Sequence, residues 1–525
     1  MSVSRRPDRV RVLVVGAGHN GLICACYLAR AGLDVTVVEQ SEAHGGGSRS
    51  EETIAGYRFD THSVAHNIIN MTGILDELAL GEAGLEYREM DPFATAVFED
   101  GRRVRFHRSV ARTVASIAEI DSREARAYAD FMADALPLVR AATAGLGARS
   151  GRAGRRTSAV GALRAVLGTL RRGPLRVGRE LLSPYGSLLE ERLPSDLTRA
   201  PVSAFAAHAG ASPDTPGSAF FALWQAAYHL HGQWHAAGGA QALADALVRR
   251  LEEAGGRLRC RAPVARIETR AGRVAGVALE DGERIPADVV VTALNPRVAL
   301  LELLDPPLAG RHRAQLSAAH ASNAVQAVVH VAVDRLPPYT DACPGDWNGL
   351  QSYIDTLDAL RRSFAAADDR RLHRPVAGYA FTPSALDASL APDGHHTVYL
   401  ACPAAPFVVE GGWERHADVL VEDLVAQVER RAPGFRASIR GIAVRTPELM
   451  AAELRWPGAH PMHLDITLDQ LGPFRPTPAL SDHRSPVAGL YVTGAGTAPV
   501  GGIAGVPGRS AARAVAKDTL GGRAA

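Results

Sequence analysis

The chain has 525 residues, of which 46% are hydrophobic and 22% charged, and its formal net charge is +2. That length allows roughly three units of ~150 residues and a core large enough to bury a cofactor. The composition is globular rather than disordered, and the near-neutral charge argues against nucleic acid as a main partner, since duplex binders present a broad basic face.

Five cysteines occur, Cys24, Cys26, Cys260, Cys343 and Cys402, and none forms a C-x-x-C pair. Scattered thiols of odd number fit a reducing compartment and leave out the redox-active disulfide of the disulfide reductases. The N terminus enters a strand without an apolar stretch behind its charges, and no run of ~18 apolar residues occurs. A cytoplasmic location is expected.

In chain order, residues 10–15 are a continuous apolar run, as in a strand buried on both faces. A glycine turn leads into a helix closed by Gly32, and residues 33–39 form a second strand ending in Glu39. This is a complete βαβ unit. A Gly-rich stretch follows at 44–53. Residues 124–139 read as a helix, and 149–180 form an arginine-rich block. Residues 238–255 make an amphipathic helix, followed by short strands near 257–261, 263–269, 273–279 and 287–293. A strand at 489–493, a Gly-rich turn and a helix at 508–518 close the chain.

The first turn has the spacing Gly16-x-Gly18-x-x-Gly21. Gly16 makes the tight turn, Gly18 lets main chain approach a pyrophosphate, and Gly21 allows close helix–strand packing. The helix N terminus offers free N–H groups to phosphates, and Glu39 offers an acceptor to a ribose diol. The loop Gly45-Gly46-Gly47-Ser48-Arg49 lets the chain run against a flavin, with Arg49 placed to pair with the pyrophosphate. No second G-x-G-x-x-G unit is present, so no separate nicotinamide domain is expected.

These two motifs together resemble the flavin-binding half of the phytoene-desaturase and amine-oxidase group. Residues 489–514, GLYVTGAGTAPVGGIAGVPGRSAARA, are similar to the closing signature of phytoene-desaturase-like dehydrogenases. The resemblance implies FAD as cofactor. It implies that Gly494 and Gly496 are turn glycines, that Gly502, Ile503 and Val506 lie beside the flavin ring, and that Val264 holds the adenine. The implied fold is α/β, with a discontinuous Rossmann-type FAD domain (1–75, 235–300 and 440–525) and a mixed α+β substrate domain (76–234 and 301–439).

Hydride loss coupled to proton loss needs a base at the reacting face. The candidates are His62, His66, His235, His463 and Asp465, with His62 favoured because the resemblance places Phe59 and Asp60 near the flavin. Amine oxidases of this fold use a lysine near the flavin. The single lysine here, Lys517, lies in the closing helix. No metal site is expected. The arginine block at 149–180 carries apolar residues at helical spacing and fits a peripheral contact with an anionic membrane, a solvated helix or a lid. The function expected is a dehydrogenase or desaturase acting on a small, lipophilic or secondary-metabolite substrate, with oxygen, a quinone or another acceptor reoxidising the flavin. An amine oxidase, a polyene isomerase or saturase, and a non-catalytic flavin-binding protein are the alternatives.

Overall fold

The computed structural model describes residues 9–146, 173–208 and 210–521. The first sheet forms where the sequence is most apolar. Arg11–Val15 and Asp34–Val38 lie in parallel, Val12 opposite Val35, joined by the helix His19–Arg30. Val289–Thr292 pairs with the other side of the first strand, Val12 opposite Val289. Leu490–Val492 extends the sheet beyond it, and Arg257–Arg259 closes the opposite edge. All five strands are parallel, so both faces must be covered.

One face, through Val12, Val14, Val35 and Val37, shares a core with the helices His19–Arg30, Gln241–Glu253 and Val506–Leu520. The other, through Leu13, Val15 and Val290, packs against a four-stranded sheet spanning 264–305. Two of the covering helices meet closely: a Cβ on Gly508 would fall 2.3 Å from the Asn20 carbonyl oxygen.

The second large sheet has seven strands. In spatial order they are Ile439–Arg445, Ala324–Val333, His396–Pro406, Tyr379–Phe381, Leu350–Ser352, Ala94–Val97 and Arg103–Phe106. Period-two alternation divides its residues. Ala327, Val329, Val331, Leu400 and Cys402 face an outer core with the helix Ala417–Arg431. Val328, Leu350, Tyr379, Phe381, Tyr399 and Ala401 face an inner core roofed by helices between Ser122 and His231.

The boundary expected at residue 440 is corrected by this topology. Ile439–Arg445 is an edge strand of the seven-stranded sheet, antiparallel to Ala324–Val333. Its alternating pattern also serves a half-exposed antiparallel edge, which sequence alone does not separate from the parallel sheet. Most of the arginine block lies outside the described residues. Its described end is the helix Pro174–Leu182, where Leu175 and Leu182 are 90% and 61% exposed. Among the described residues no helix is long and apolar enough to cross a membrane.

Candidate active site

A cavity of about 330 Å³ runs from the first glycine turn, along the seam between the two large sheets, into the substrate domain. Gly16, Gly18, Gly21, Glu39, Gly46, Gly47, Val264, Gly494, Gly502 and Ile503 all line it. Local sterics explain this end. A Cβ on Gly21 would sit 2.2 Å from the Gly16 carbonyl oxygen, so helix and turn close on each other only with glycine there. A Cβ on Gly18 would meet nothing within 4 Å. The helix His19–Arg30 has no side chain capping its N terminus, so its first N–H groups are offered to a ligand. Glu39 receives the Ala17 N–H at 2.8 Å and the Ser41 N–H at 3.0 Å, which fixes its carboxylate beside the turn.

The remaining expected cofactor residues act behind the wall. Gly45 donates its N–H to Ala17 and bridges to Gly18. Gly496 packs against Pro296, and Val506 begins the closing helix. Arg49 is not at the wall; its guanidinium pairs with Glu51 two residues on, a short-range partner that the glycine loop brings within reach.

The five candidate bases separate clearly. His62 and His463 line the cavity, one on each side of Trp456, with ring centroids 5.1 and 5.6 Å from the indole. Trp456 rests on the glycine loop, since a Cβ on Gly47 would come within 2.8 Å of it. His66, His235 and Asp465 are not at the wall, because each is held by its own partner. His66 Nδ1 meets the Tyr87 hydroxyl at 2.7 Å. His235, fully buried, lies 3.4 Å from Asp387. Asp465 accepts from the Ser322 N–H and hydroxyl and lies 3.2 Å from His460.

Burial pushes the His463 imidazole down to about 3, reinforced by the Arg475 cation and by His460 and His19. Burial and the Arg445 cation hold His62 well below its ordinary value. Both rings are therefore neutral at physiological pH. Phe59 and Asp60 are not in the wall: Phe59 stacks on His330 at 4.5 Å, and Asp60 accepts from Ser50 and the Ala240 N–H.

Several wall residues carry no signal in the sequence reading. His19 and Asn20 sit inside the glycine motif, and His19 Nε2 lies 3.0 Å from the Gly502 carbonyl, tying the first turn to the last. Trp456 and Met462 come from a segment without regular periodicity. Arg475 is wholly buried and, among the described residues, has no carboxylate hydrogen-bond partner. It donates to main-chain carbonyls of Ala495, Asp465, Gln470, Met462 and Leu464, and so clamps the 462–470 loop onto the closing turn. Phe220, Phe221, Trp224 and Tyr228, on two short consecutive helices and the turn between them, line the far arm of the cavity.

Three wall residues carry buried polar atoms without a partner: Asn20 Oδ1, Gln233 Oε1 and His463 Nδ1. Orphaned polar atoms along one wall ask for a ligand with donors and acceptors of its own. With the uncapped helix and the glycine cradle, this donor set fits a flavin dinucleotide.

The fold and this cavity define a flavin-dependent oxidoreductase of the α/β type. The chain belongs to the flavin containing amine oxidoreductase family, whose model matches residues 21–516, and FAD is its cofactor. It is 32% identical to the mouse (Mus musculus) protein called pyridine nucleotide-disulfide oxidoreductase domain-containing protein 2, over 96% of this chain and 93% of that one. It is 29% identical to a phytoene dehydrogenase of Streptomyces griseus, over 94% of this chain and 92% of that one. In fold it resembles an oxidoreductase from Methanosarcina mazei, with a TM-score of 0.59 and 16% identity over 97% of this chain and all of the other.

Proposed function

We propose that the protein is an FAD-dependent dehydrogenase that removes the elements of dihydrogen from an uncharged, lipophilic substrate to form a carbon–carbon double bond. The observation that carries this reading is the far arm of the cavity. Its wall is Phe205, Phe220, Phe221, Trp224, Leu350 and Phe381, and the only carboxylate among the lining residues, Glu39, is held at the dinucleotide end. An ammonium ion moved into such an arm would lose its hydration without a counter-charge, which costs several kcal/mol, whereas apolar area gains roughly 25 cal/mol per Å² on burial. Relatives named phytoene desaturase or dehydrogenase support the same reading.

The glycine turns at 16–21 and 46–47, Glu39 and the segment 494–503 are the residues that would hold FAD. When bound, FAD supplies the acceptor for a hydride from the substrate. The chain's own residues orient the substrate and take up the proton. His463, which lines the cavity and keeps an unpartnered, buried Nδ1, is the proton acceptor we assign, with His62 also packed beside Trp456. Its low basicity is compatible with that role, because a C–H beside a carbon losing hydride becomes strongly acidic as positive charge develops.

The test is anaerobic mixing of the FAD-loaded protein with isoprenoid hydrocarbons and alcohols on one side and primary amines on the other. Bleaching of the oxidised flavin by the lipophiles supports the reading. Bleaching by amines alone replaces it with amine oxidation. The exposed Leu175 and Leu182 beside Arg179 also support a peripheral membrane contact, which flotation with anionic vesicles tests; a protein that stays at the bottom of the gradient counts against it.

A further inference from the structure

The far arm is mostly apolar, and two of its polar side chains meet around one buried phenol. His208, at the end of the helix Asp196–Ala207, and Gln326, in the strand Ala324–Val333, both line the cavity, and the fully buried Tyr379 joins them. The Tyr379 hydroxyl lies 2.8 Å from His208 Nδ1 and accepts a hydrogen bond from the Gln326 side-chain amide. The placement of Gln326 has a backbone cause. The register of its strand against His396–Pro406 slips between Val325 and Ala327, which puts Gln326 at a bulge, and a bulge re-aims a side chain relative to its neighbours.

One arrangement of protons satisfies this trio. The Gln326 N–H occupies the Tyr379 oxygen as donor, so the phenolic proton is free to go to His208 Nδ1. Burial at the cavity wall lowers the His208 imidazole to about 4, so the ring is neutral at physiological pH. Its single ring proton is then on Nε2. Among the described residues, neither His208 Nε2 nor Gln326 Oε1 has a hydrogen-bond partner. One is a donor and the other an acceptor, and no formally charged side chain lines this arm. The Tyr228 phenol is the other polar head there, and the Trp224 N–H is already engaged by Asn67 at 3.2 Å.

We propose that His208 and Gln326, set by Tyr379, form a clamp for a hydroxyl group carried by an otherwise apolar substrate. A hydroxyl matches the pair, accepting from His208 and donating to Gln326. A carboxylate can satisfy only the His208 donor, an ammonium ion only the Gln326 acceptor, and a bare hydrocarbon leaves both unpaired. This rests on the lipophilic reading of the arm and narrows it from hydrocarbons to alcohols. Sites that hydrogen-bond a substrate hydroxyl reject the analogue lacking it far more strongly than an apolar pocket rejects a missing methylene.

The experiment uses the full-length, FAD-loaded protein and two matched probes, farnesol and β-farnesene, titrated with intrinsic tryptophan fluorescence and the oxidised flavin spectrum as readouts. Farnesol should bind at least about tenfold more tightly than farnesene. In Gln326→Leu, and separately in Tyr379→Phe, that preference should shrink to within about threefold, while farnesene binding and flavin content stay as in the wild type. Equal binding of both probes by the wild type overturns the clamp alone. So does a preference that survives both substitutions. Binding of neither probe overturns the clamp together with the lipophilic reading beneath it.

Discussion

The two ends of the cavity are made from different parts of the polypeptide. At the dinucleotide end the wall is largely main chain, shaped by glycines whose missing side chains let two turns and two helix ends converge. In the far arm it is side chain, contributed by separate helices and by the concave face of a sheet. A backbone-built site tolerates almost no added atom but is indifferent to most neighbours. A side-chain-built site can be re-cut one residue at a time, which is how one flavin scaffold serves different substrates.

The comparison can be pressed hardest with acid. Burial holds His19 and His229 near 4 and His66, His330 and His463 near 3. Each is lowered in the folded state, so the unfolded chain binds more protons once pH falls below the ordinary imidazole value of 6.5. Each then withdraws about 1.4 kcal/mol of stability per pH unit until its folded value is reached. Four of these rings, His19, His66, His330 and His463, belong to the dinucleotide end and its seam. Urea midpoints should fall steeply from pH 7 to pH 5 with loss of flavin in step. A midpoint flat over that range would show that these rings are charged in the fold.

Next in size are paired glycine substitutions. Gly21→Ala forces a methyl onto the Gly16 carbonyl and Ala293, so both flavin content and apoprotein melting temperature should drop, the first by more than about tenfold. Gly18→Ala projects into open space and should lose flavin with an unaltered apoprotein melt. Identical behaviour of the two would mean that the turn is a structural feature only. Phe220→Ala and Phe221→Ala in the arm should retain full flavin content and weaken lipophile binding by roughly 1–2 kcal/mol each, read by titration. The smallest effect concerns the neutral rings: the rate of flavin bleaching by a lipophile should vary less than about threefold between pH 7 and 9, since neither His62 nor His463 titrates there.

The same contrast decides what the sequence made legible. Gly16, Gly18 and Gly21 fall in one turn and Glu39 ends the next strand, so motif spacing pointed to them, while the resemblance of the closing signature pointed to Gly494–Ile503. Arg49 has a second partner that spacing alone did not weigh, the Glu51 carboxylate two residues on. His66, His235 and Asp465 were chosen by residue type; their partners Tyr87, Asp387 and His460 include residues far along the chain, and only the fold brings those together. Gln326 gave no signal at all, because a bulge depends on pairing with a strand some seventy residues later. The domain boundary expected at residue 440 cuts into the strand Ile439–Arg445 for a related reason: its partner, Ala324–Val333, lies more than a hundred residues earlier.

The order of strands in the parallel sheet has a consequence for how the protein comes into being. Leu490–Val492 pairs with Val289–Thr292, which pairs with Arg11–Val15, and His19 ties the closing turn to the first turn through the Gly502 carbonyl. During synthesis the opening glycine turn therefore leaves the ribosome long before the segment that shuts it. Until residues 489–520 emerge, the apolar edge of that sheet has neither its neighbour strand nor its covering helix, and late non-local pairing of this kind is slow and exposed to aggregation. The nascent chain has a protracted vulnerable interval, and abundant free flavin at the moment of release is the condition under which the greatest yield of folded protein is expected.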